Sequence, residues 1–265
     1  MKIHWLRTNL SVIQKICFSG LFIALTCVLQ KVVAINYLAF APFIRVSLGG
    51  PALIIFSSIL LGPIYGLFVG AGSDVLGYFV FDIKAYPFAP QITAIYALLG
   101  FVAYFVFSLV FSIENRRLMK IVEIILMAVI WVIVCVFIFT KNEITTTGSK
   151  PYELTTLSKT LVCAVSGLIF VGIILLSFLL KPKSNSIYES PLHICFASFI
   201  CDFFVIVLFG SLMKGFVFGF QTFIAIIACQ ALIMFFNVFI DTMLISAFQR
   251  FTKKYYVENQ NVRRE

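Results

Sequence analysis

Long apolar segments recur along the whole chain, and short polar or basic connections separate them. The apolar segments cover about residues 12–33, 46–61, 63–81, 90–112, 121–139, 161–180, 192–212 and 216–248. Most are long enough for a helix to cross a hydrocarbon layer about 30 Å thick. The short alternating segments of a membrane β-barrel are not evident. The pattern predicts a single all-α polytopic membrane domain over residues 1–265, with about eight transmembrane helices.

Composition and charge agree with this class. The 265 residues are 62% hydrophobic and 12% charged, whereas soluble domains carry about 25% charged residues. The net charge of +9 lies mainly in loops and tails, which favours membrane topology over nucleic-acid binding. With a cytoplasmic N-terminus, the basic residues Arg116, Arg117, Lys181 and Lys183 and the basic C-terminal tail all fall on the cytoplasmic side. We therefore expect both termini in the cytoplasm of a cell that carries this protein in its plasma membrane.

Small residues recur at helical spacing in two of the predicted helices. Gly20 and Ala24 form a small-xxx-small pair in the first helix, and Gly66 and Gly70 form another in the third. Such pairs allow another helix to approach closely. For Gly20 and Ala24, internal packing and docking to a partner subunit both remain open.

Three acidic residues lie inside apolar segments, where an ionised side chain is costly and needs a partner. Asp74 lies in the third segment, and Arg45 is its nearest basic candidate in sequence. Two roles remain open for this pair. It either contributes to a substrate site or gate, or it forms a structural polar contact. Asp202 and Asp241 are either proton-relay acids or, as we favour, acceptors of bonds from neighbouring polar groups.

Sequence motifs for enzymatic chemistry are absent. The chain has no P-loop, no HExxH and no GxSxG. The seven cysteines lie in apolar runs without a CxxC pair, and His4 and His193 are isolated. We predict a protein that is not an enzyme, with no cofactor and no metal site.

Two segments, IRVSLGG and LLGPIYGLFVGAGSDVLGY, resemble the substrate-binding S components of energy-coupling-factor (ECF) vitamin transporters. The matching residues are Arg45, Ser47, Gly49, Gly62, Pro63, Gly66, Gly70, Asp74 and Gly77. The fourth segment, FAPQITAIYALLG, is most similar to the folate-specific branch, with Phe88, Pro90, Thr93 and Gly100 in register. This chain departs from that branch at Gln91, Gln230 and Asn237.

The resemblance implies a six-helix core, here about residues 12–113 and 192–249. A probable inserted helix pair, about residues 120–180, accounts for the extra length. The resemblance also implies a transmembrane coupling subunit and two ATPase subunits as partners, besides membrane lipids. Such proteins capture a vitamin outside the cell and tip within the membrane to release it inside. The similarity to the folate-specific branch implies that the vitamin is folate. Gly20 and Ala24 match the contact with the coupling subunit.

The resemblance and the residue chemistry together give a predicted vitamin site. Its members would attract an anionic vitamin, stack on a flat ring or form directional hydrogen bonds. They are Tyr37, Arg45, Asp74, Lys84, Tyr86, Phe88, Gln91, Thr93, Gln230 and Asn237. The connection over residues 34–45 would act as a lid.

Three other interpretations remain open. The first is an S component for riboflavin, a queuosine precursor or pantothenate. The second is a stand-alone secondary transporter that uses Asp74, Asp202 or Asp241 for protons. The third is a structural or assembly membrane protein with no substrate.

Overall fold

The computed structural model describes residues 10–34, 47–82, 88–113, 115–141, 143–144, 152–153, 155–179, 191–218 and 223–262. The helices in these ranges are α1 (Val12–Lys31), α2 (Gly50–Leu61), α3 (Pro63–Gly77), α4 (Pro90–Val110), α5 (Arg116–Thr140), α6 (Thr156–Leu179), α7 (Pro191–Cys201), α8 (Gly210–Phe218) and α9 (Phe223–Val262). A π-helical turn, Tyr78–Asp82, extends α3, and another, Asp202–Phe209, joins α7 to α8. Two short strands, β1 (Glu143–Ile144) and β2 (Tyr152–Glu153), pair antiparallel between α5 and α6.

Length and composition make this a polytopic membrane protein, as predicted. Within the described ranges, 7 helical spans are long and apolar enough to cross a membrane. The remaining predicted helix is α2, which has only 12 residues and therefore measures about 18 Å at 1.5 Å per residue. Its side chains are almost all buried, so α2 is a core helix that the spanning helices enclose. It begins at Gly50 and not at residue 46, because the backbone at Gly49 is left-handed, with φ 93°.

The helices α3 and α4 cross with their backbones in contact. A Cβ atom added at Gly66 would lie 2.5 Å from the carbonyl oxygen of Gly100. A Cβ atom at Gly70 would overlap the carbonyl group of Tyr96. Only glycine allows this approach, so the predicted close packing at Gly66 and Gly70 is confirmed.

The helices α5 and α6 form a peripheral pair that packs mainly against α7 and α9. The indole Nε1 of Trp131 donates a hydrogen bond to Ser166 Oγ at 3.1 Å across the pair. Only 22% of each of these spans is buried, compared with 61% of the α7–α8 span and 56% of α9. An added helix pair would occupy such a position, and the insertion at about residues 120–180 stays a prediction.

The last apolar segment, predicted over residues 216–248, is divided in the structure. Its first residues belong to α8, which ends at Phe218, and the rest belong to α9. With 40 residues, α9 is about 60 Å long at 1.5 Å per residue, roughly twice the thickness of a hydrocarbon layer. The basic C-terminal segment therefore continues as a helix beyond the membrane-spanning part of α9.

Replacing Gly70 with alanine tests the α3–α4 crossing. Because the new Cβ would meet backbone atoms of Tyr96, we expect Gly70→Ala to lower the free energy of unfolding by about 1–3 kcal/mol, the usual cost of overpacking. Thermal unfolding in detergent measures the effect. Gly172→Ala is the matched control, since the nearest atom to its Cβ would be 4.0 Å away, on Phe239. Equal stability of the two variants would contradict the crossing.

Candidate substrate site

Asp74 joins three helices at one end of the bundle. It is 5% exposed and lies in the last turn of α3. The hydroxyl of Thr93, in the first turn of α4, donates a hydrogen bond to Asp74 Oδ2 at 2.7 Å. Lys31 Nζ, at the last residue of α1, lies 3.9 Å from Asp74 Oδ1. We call these three residues the Asp74 triad.

Local sequence explains why the triad forms. Pro90 occupies the first position of α4, where its fixed φ suits a helix start. The start of α4 therefore lies beside the end of α3, and the positive end of the α4 dipole favours the carboxylate of Asp74. Gly77 leaves room for the lysine stem, because a Cβ there would lie 2.6 Å from Lys31 Cε.

The triad is shielded from solvent, which strengthens its electrostatics. The side chains of Lys31 and Asp74 are 11% and 8% exposed. Their opposite charges offset each other in a medium where either alone would be costly. Removing one partner of a buried ion pair typically costs about 3–5 kcal/mol, because the other charge is left uncompensated.

Two buried polar side chains that sequence reasoning missed lie on α1, shortly before Lys31. Gln30 is 2% exposed, and among the described residues neither atom of its amide has a hydrogen-bond partner. Thr26, one turn earlier on the same face, is fully buried with an unpaired hydroxyl. Gln30 packs on the start of α2, since a Cβ at Gly50 would lie 3.2 Å from its Nε2. Unpaired buried polar atoms are uncommon, and such atoms are able to form hydrogen bonds to a bound small molecule. The spacing of two polar residues in an apolar helix was the available signal.

Aromatic side chains cluster around the π-helical turn after α3. The ring of Phe88 lies 5.1 Å from that of Tyr78 and 6.1 Å from that of Phe79, measured between centroids. Phe88 is 41% exposed, so one face of this cluster is open. Gln91 follows in the first turn of α4 and is partly buried.

The structure therefore brings together Asp74 and Thr93 from the predicted site. Four predicted members lie outside the described residues: Tyr37, Arg45, Lys84 and Tyr86. The partner of Asp74 proposed from sequence was Arg45, whereas the structure gives Lys31, the last residue of α1.

Gln230 and Asn237 lie on α9. The amide nitrogen of Gln230 donates to the carbonyl oxygen of Ile206, and its amide oxygen accepts from Lys214 Nζ. The hydroxyl of Ser211 lies 3.3 Å from the same amide. These bonds tie α9 to α8 and to the π-helical turn before it. Asn237 is buried, and its Oδ1 has no hydrogen-bond partner. A substrate role for these two residues stays a prediction.

The small residues of α1 face outward. Gly20 and Ala24 are exposed, and a Cβ at Gly20 would have no atom within 4 Å. Gly20 therefore makes no close packing contact with the described residues of this chain. Contact with a coupling subunit stays a prediction.

The comparisons with known proteins decide the family. A family model described as "ECF-type riboflavin transporter, S component" matches residues 10–183, about two thirds of the chain. The chain belongs to this family. It is thus the substrate-binding component of a membrane transporter and not an enzyme. The match supports an S component but not the folate-specific branch.

The family match begins before α1 and runs through α5 and α6. It ends before α7, whose span is, with that of α9, one of the two most buried of the seven candidate spans. Comparisons with curated proteins and with solved structures gave no match.

Replacing Thr93 with valine tests the triad. Because Asp74 Oδ2 would lose its 2.7 Å hydrogen bond while remaining buried, we expect Thr93→Val to destabilise the protein by about 1–3 kcal/mol. Thermal unfolding measures this loss. Thr160→Val is the control, since the exposed hydroxyl of Thr160 bonds only carbonyl oxygens of its own helix. The triad would be disproved as a stabilising group if both variants unfolded at the wild-type temperature.

Proposed function

We propose that this S component captures a vitamin at the end of the bundle where α1, α3 and α4 meet. The observation that carries the proposal is the buried amide of Gln30, which has no partner among the described residues and precedes Lys31 of the Asp74 triad by one residue. Convergent polar groups in an apolar surround are the usual form of a small-molecule site. This end faces the cell exterior if both termini are cytoplasmic, as the distribution of basic residues predicts.

Riboflavin is the substrate that we propose first. The family name supports it, and so does the chemistry of the described residues. A carboxamide with a free donor and a free acceptor can pair with the imide edge of an isoalloxazine ring. The open aromatic cluster at Phe88 offers a surface on which a flat ring stacks. The charge of Lys31 is offset by Asp74, which suits a neutral ring better than a dianion.

Folate is the second candidate. It rests on the register of Phe88, Pro90, Thr93 and Gly100 with the folate-specific branch. Its pterin ring also has a lactam edge that a carboxamide can bind. Arg45 and Lys84, which we predicted as site residues, would then bind the glutamate carboxylates.

Transport would need further subunits. We propose that the protein lies in the plasma membrane and works with a transmembrane coupling subunit and two ATPase subunits. The exposed face of α1 at Gly20 and Ala24 would contact the coupling subunit, because small residues let two helices approach closely. ATP-driven tipping of the S component would then release the vitamin inside.

A thermal-shift screen of the purified protein tests the substrate. The panel contains riboflavin, folate, a queuosine precursor and pantothenate. A ligand at a hundred times its Kd should raise the free energy of unfolding by about 2.7 kcal/mol. We expect riboflavin to give the largest shift. A shift with folate alone would replace the substrate and keep the site, whereas no shift for a folded protein would contradict vitamin capture.

Replacing Gln30 with leucine tests the proposed contact. The variant removes two unpaired buried atoms, so we expect unchanged or higher stability without ligand. Riboflavin affinity should nevertheless fall at least about tenfold, equivalent to 1.4 kcal/mol, in isothermal titration calorimetry. Ser246→Ala, which removes an unpaired buried hydroxyl from α9, should bind as wild type does. Unchanged affinity of Gln30→Leu would exclude this contact.

Replacing Gly20 with leucine tests the coupling face. Because nothing lies within 4 Å of its Cβ position, the variant should fold normally. We expect it to lose co-purification with the coupling and ATPase subunits, since the added side chain would hold the helices apart. Val129→Leu, on the exposed face of α5, is the control for added volume. Normal co-purification of Gly20→Leu would argue for a different docking face.

A further inference from the structure

Two buried carboxyl groups lie on elements that pack against each other in the interior of the bundle. Asp202 begins the π-helical turn after α7 and is 0% exposed, and Asp241 lies on α9 and is 1% exposed. The two carboxyl groups are near enough to interact electrostatically. Neither forms a regular hydrogen bond within the part of the chain that the structure describes.

A second polar side chain accompanies each acid. Ser198 precedes Asp202 by one helical turn, and Asn237 precedes Asp241 by one turn, so each shares a helix face with its acid. Ser198 and Asn237 are 0% and 7% exposed. The Ser198 hydroxyl and Asn237 Oδ1 are also unpaired. Together the four side chains present six oxygen atoms that form no hydrogen bond of regular geometry among the described residues. They come from α7, the π-helical turn after it and α9, which pack on one another.

Neighbouring helices supply little compensating charge. Asp241 lies near the backbone N–H of Ala52, in the first turn of α2, which has no side-chain cap. A helix N-terminus is equivalent to roughly half an elementary charge, less than two carboxylates require. The nearest titratable side chain on α7, Cys201, interacts with both acids and carries no positive charge.

Three basic side chains on neighbouring elements are engaged elsewhere. Lys159 on α6 donates to the carbonyl oxygen of Phe139 at 3.5 Å. Lys214 on α8 donates to Gln230. His193 on α7 lies 3.2 Å from the carbonyl oxygen of Ile113 and stacks on Phe111. None of these contacts offsets the charge of Asp202 or Asp241.

We propose that Asp202, Asp241, Ser198 and Asn237 bind a hard cation inside the bundle. Carboxylate, amide and hydroxyl oxygens are the ligands that such cations take. The charge of two carboxylates favours a divalent ion such as Ca²⁺. The position inside a helical bundle, at a break in regular helix geometry, resembles the Na⁺ sites of membrane transporters.

A bound cation would couple the core helices. It would join the α7 segment to α9 and, through Asp241, hold the first turn of α2. That turn contains Gly50, on which Gln30 packs. A bound cation would therefore stabilise the turn of α2 on which Gln30 of the proposed vitamin site packs. The cation site itself does not depend on which vitamin binds.

Thermal unfolding of the purified protein in detergent tests the site. The protein is first stripped of ions with a chelator in choline chloride, and NaCl, CaCl₂ or MgCl₂ is then added at constant ionic strength. We expect a saturable rise in Tm with Ca²⁺ or with Na⁺, and the ion that gives the rise shows whether the site binds a divalent or a monovalent cation. Asp202→Asn and Asp241→Asn should lose the response, even if they are more stable than wild type without ions.

Two controls separate this site from general salt effects. Glu123→Gln changes another buried acid, which is hydrogen-bonded to Cys195. This variant should keep the ion response. If either aspartate variant fails to fold, Ser198→Ala and Asn237→Leu should raise the ion concentration needed for half of the Tm rise. An equal ion response in wild type and all variants would overturn the proposal. A rise in Tm on lowering the pH without added ions would also overturn it, because protonation would then remove the repulsion between the two carboxylates.

Discussion

An ionised carboxylate in a membrane protein must have a partner, and the partners of Asp74 determine how this bundle is joined. Lys31 and Thr93 reach the carboxylate from different helices, so one residue fixes α1, α3 and α4 at the same end. The contact is possible only because Gly77 leaves space for the lysine stem. The proposed vitamin site is at this end, where α1 also carries Gln30 and Thr26, two buried polar residues without partners among the described residues.

A second constraint acts through the absence of side chains. Gly66, Gly70 and Gly100 let α3 and α4 touch along their backbones, which brings Thr93 within hydrogen-bond distance of Asp74. Close helix contact in a membrane relies on packing, since lipid gives helices no hydrophobic reason to associate. The glycines and Asp74 therefore act together. The glycines let α3 and α4 approach closely, and at that separation Thr93 can donate its hydrogen bond to Asp74.

Much of this arrangement could be predicted from sequence, because apolar length and glycine spacing depend on local geometry alone. The all-helical membrane class and the close packing at Gly66 and Gly70 followed from those patterns, whereas the identity of α4 as the partner helix did not. The partner Lys31 did not, because it stands at a helix end where a loop position is equally natural. Gln30 was missed for a related reason: two polar residues near a helix end do not reveal which neighbouring helix they face. The start of α2 at Gly50 depended on the left-handed backbone at Gly49, which apolar periodicity does not indicate.

The central claim is that the Asp74 triad and its neighbours on α1 form the vitamin site of an S component. Titration of riboflavin fluorescence with purified protein tests it directly, since stacking on aromatic side chains quenches flavin emission. The account predicts saturable quenching by the wild type and a large loss of affinity in folded Asp74→Asn protein. Absence of quenching by the folded wild type, or equal affinity in Asp74→Asn, would contradict it.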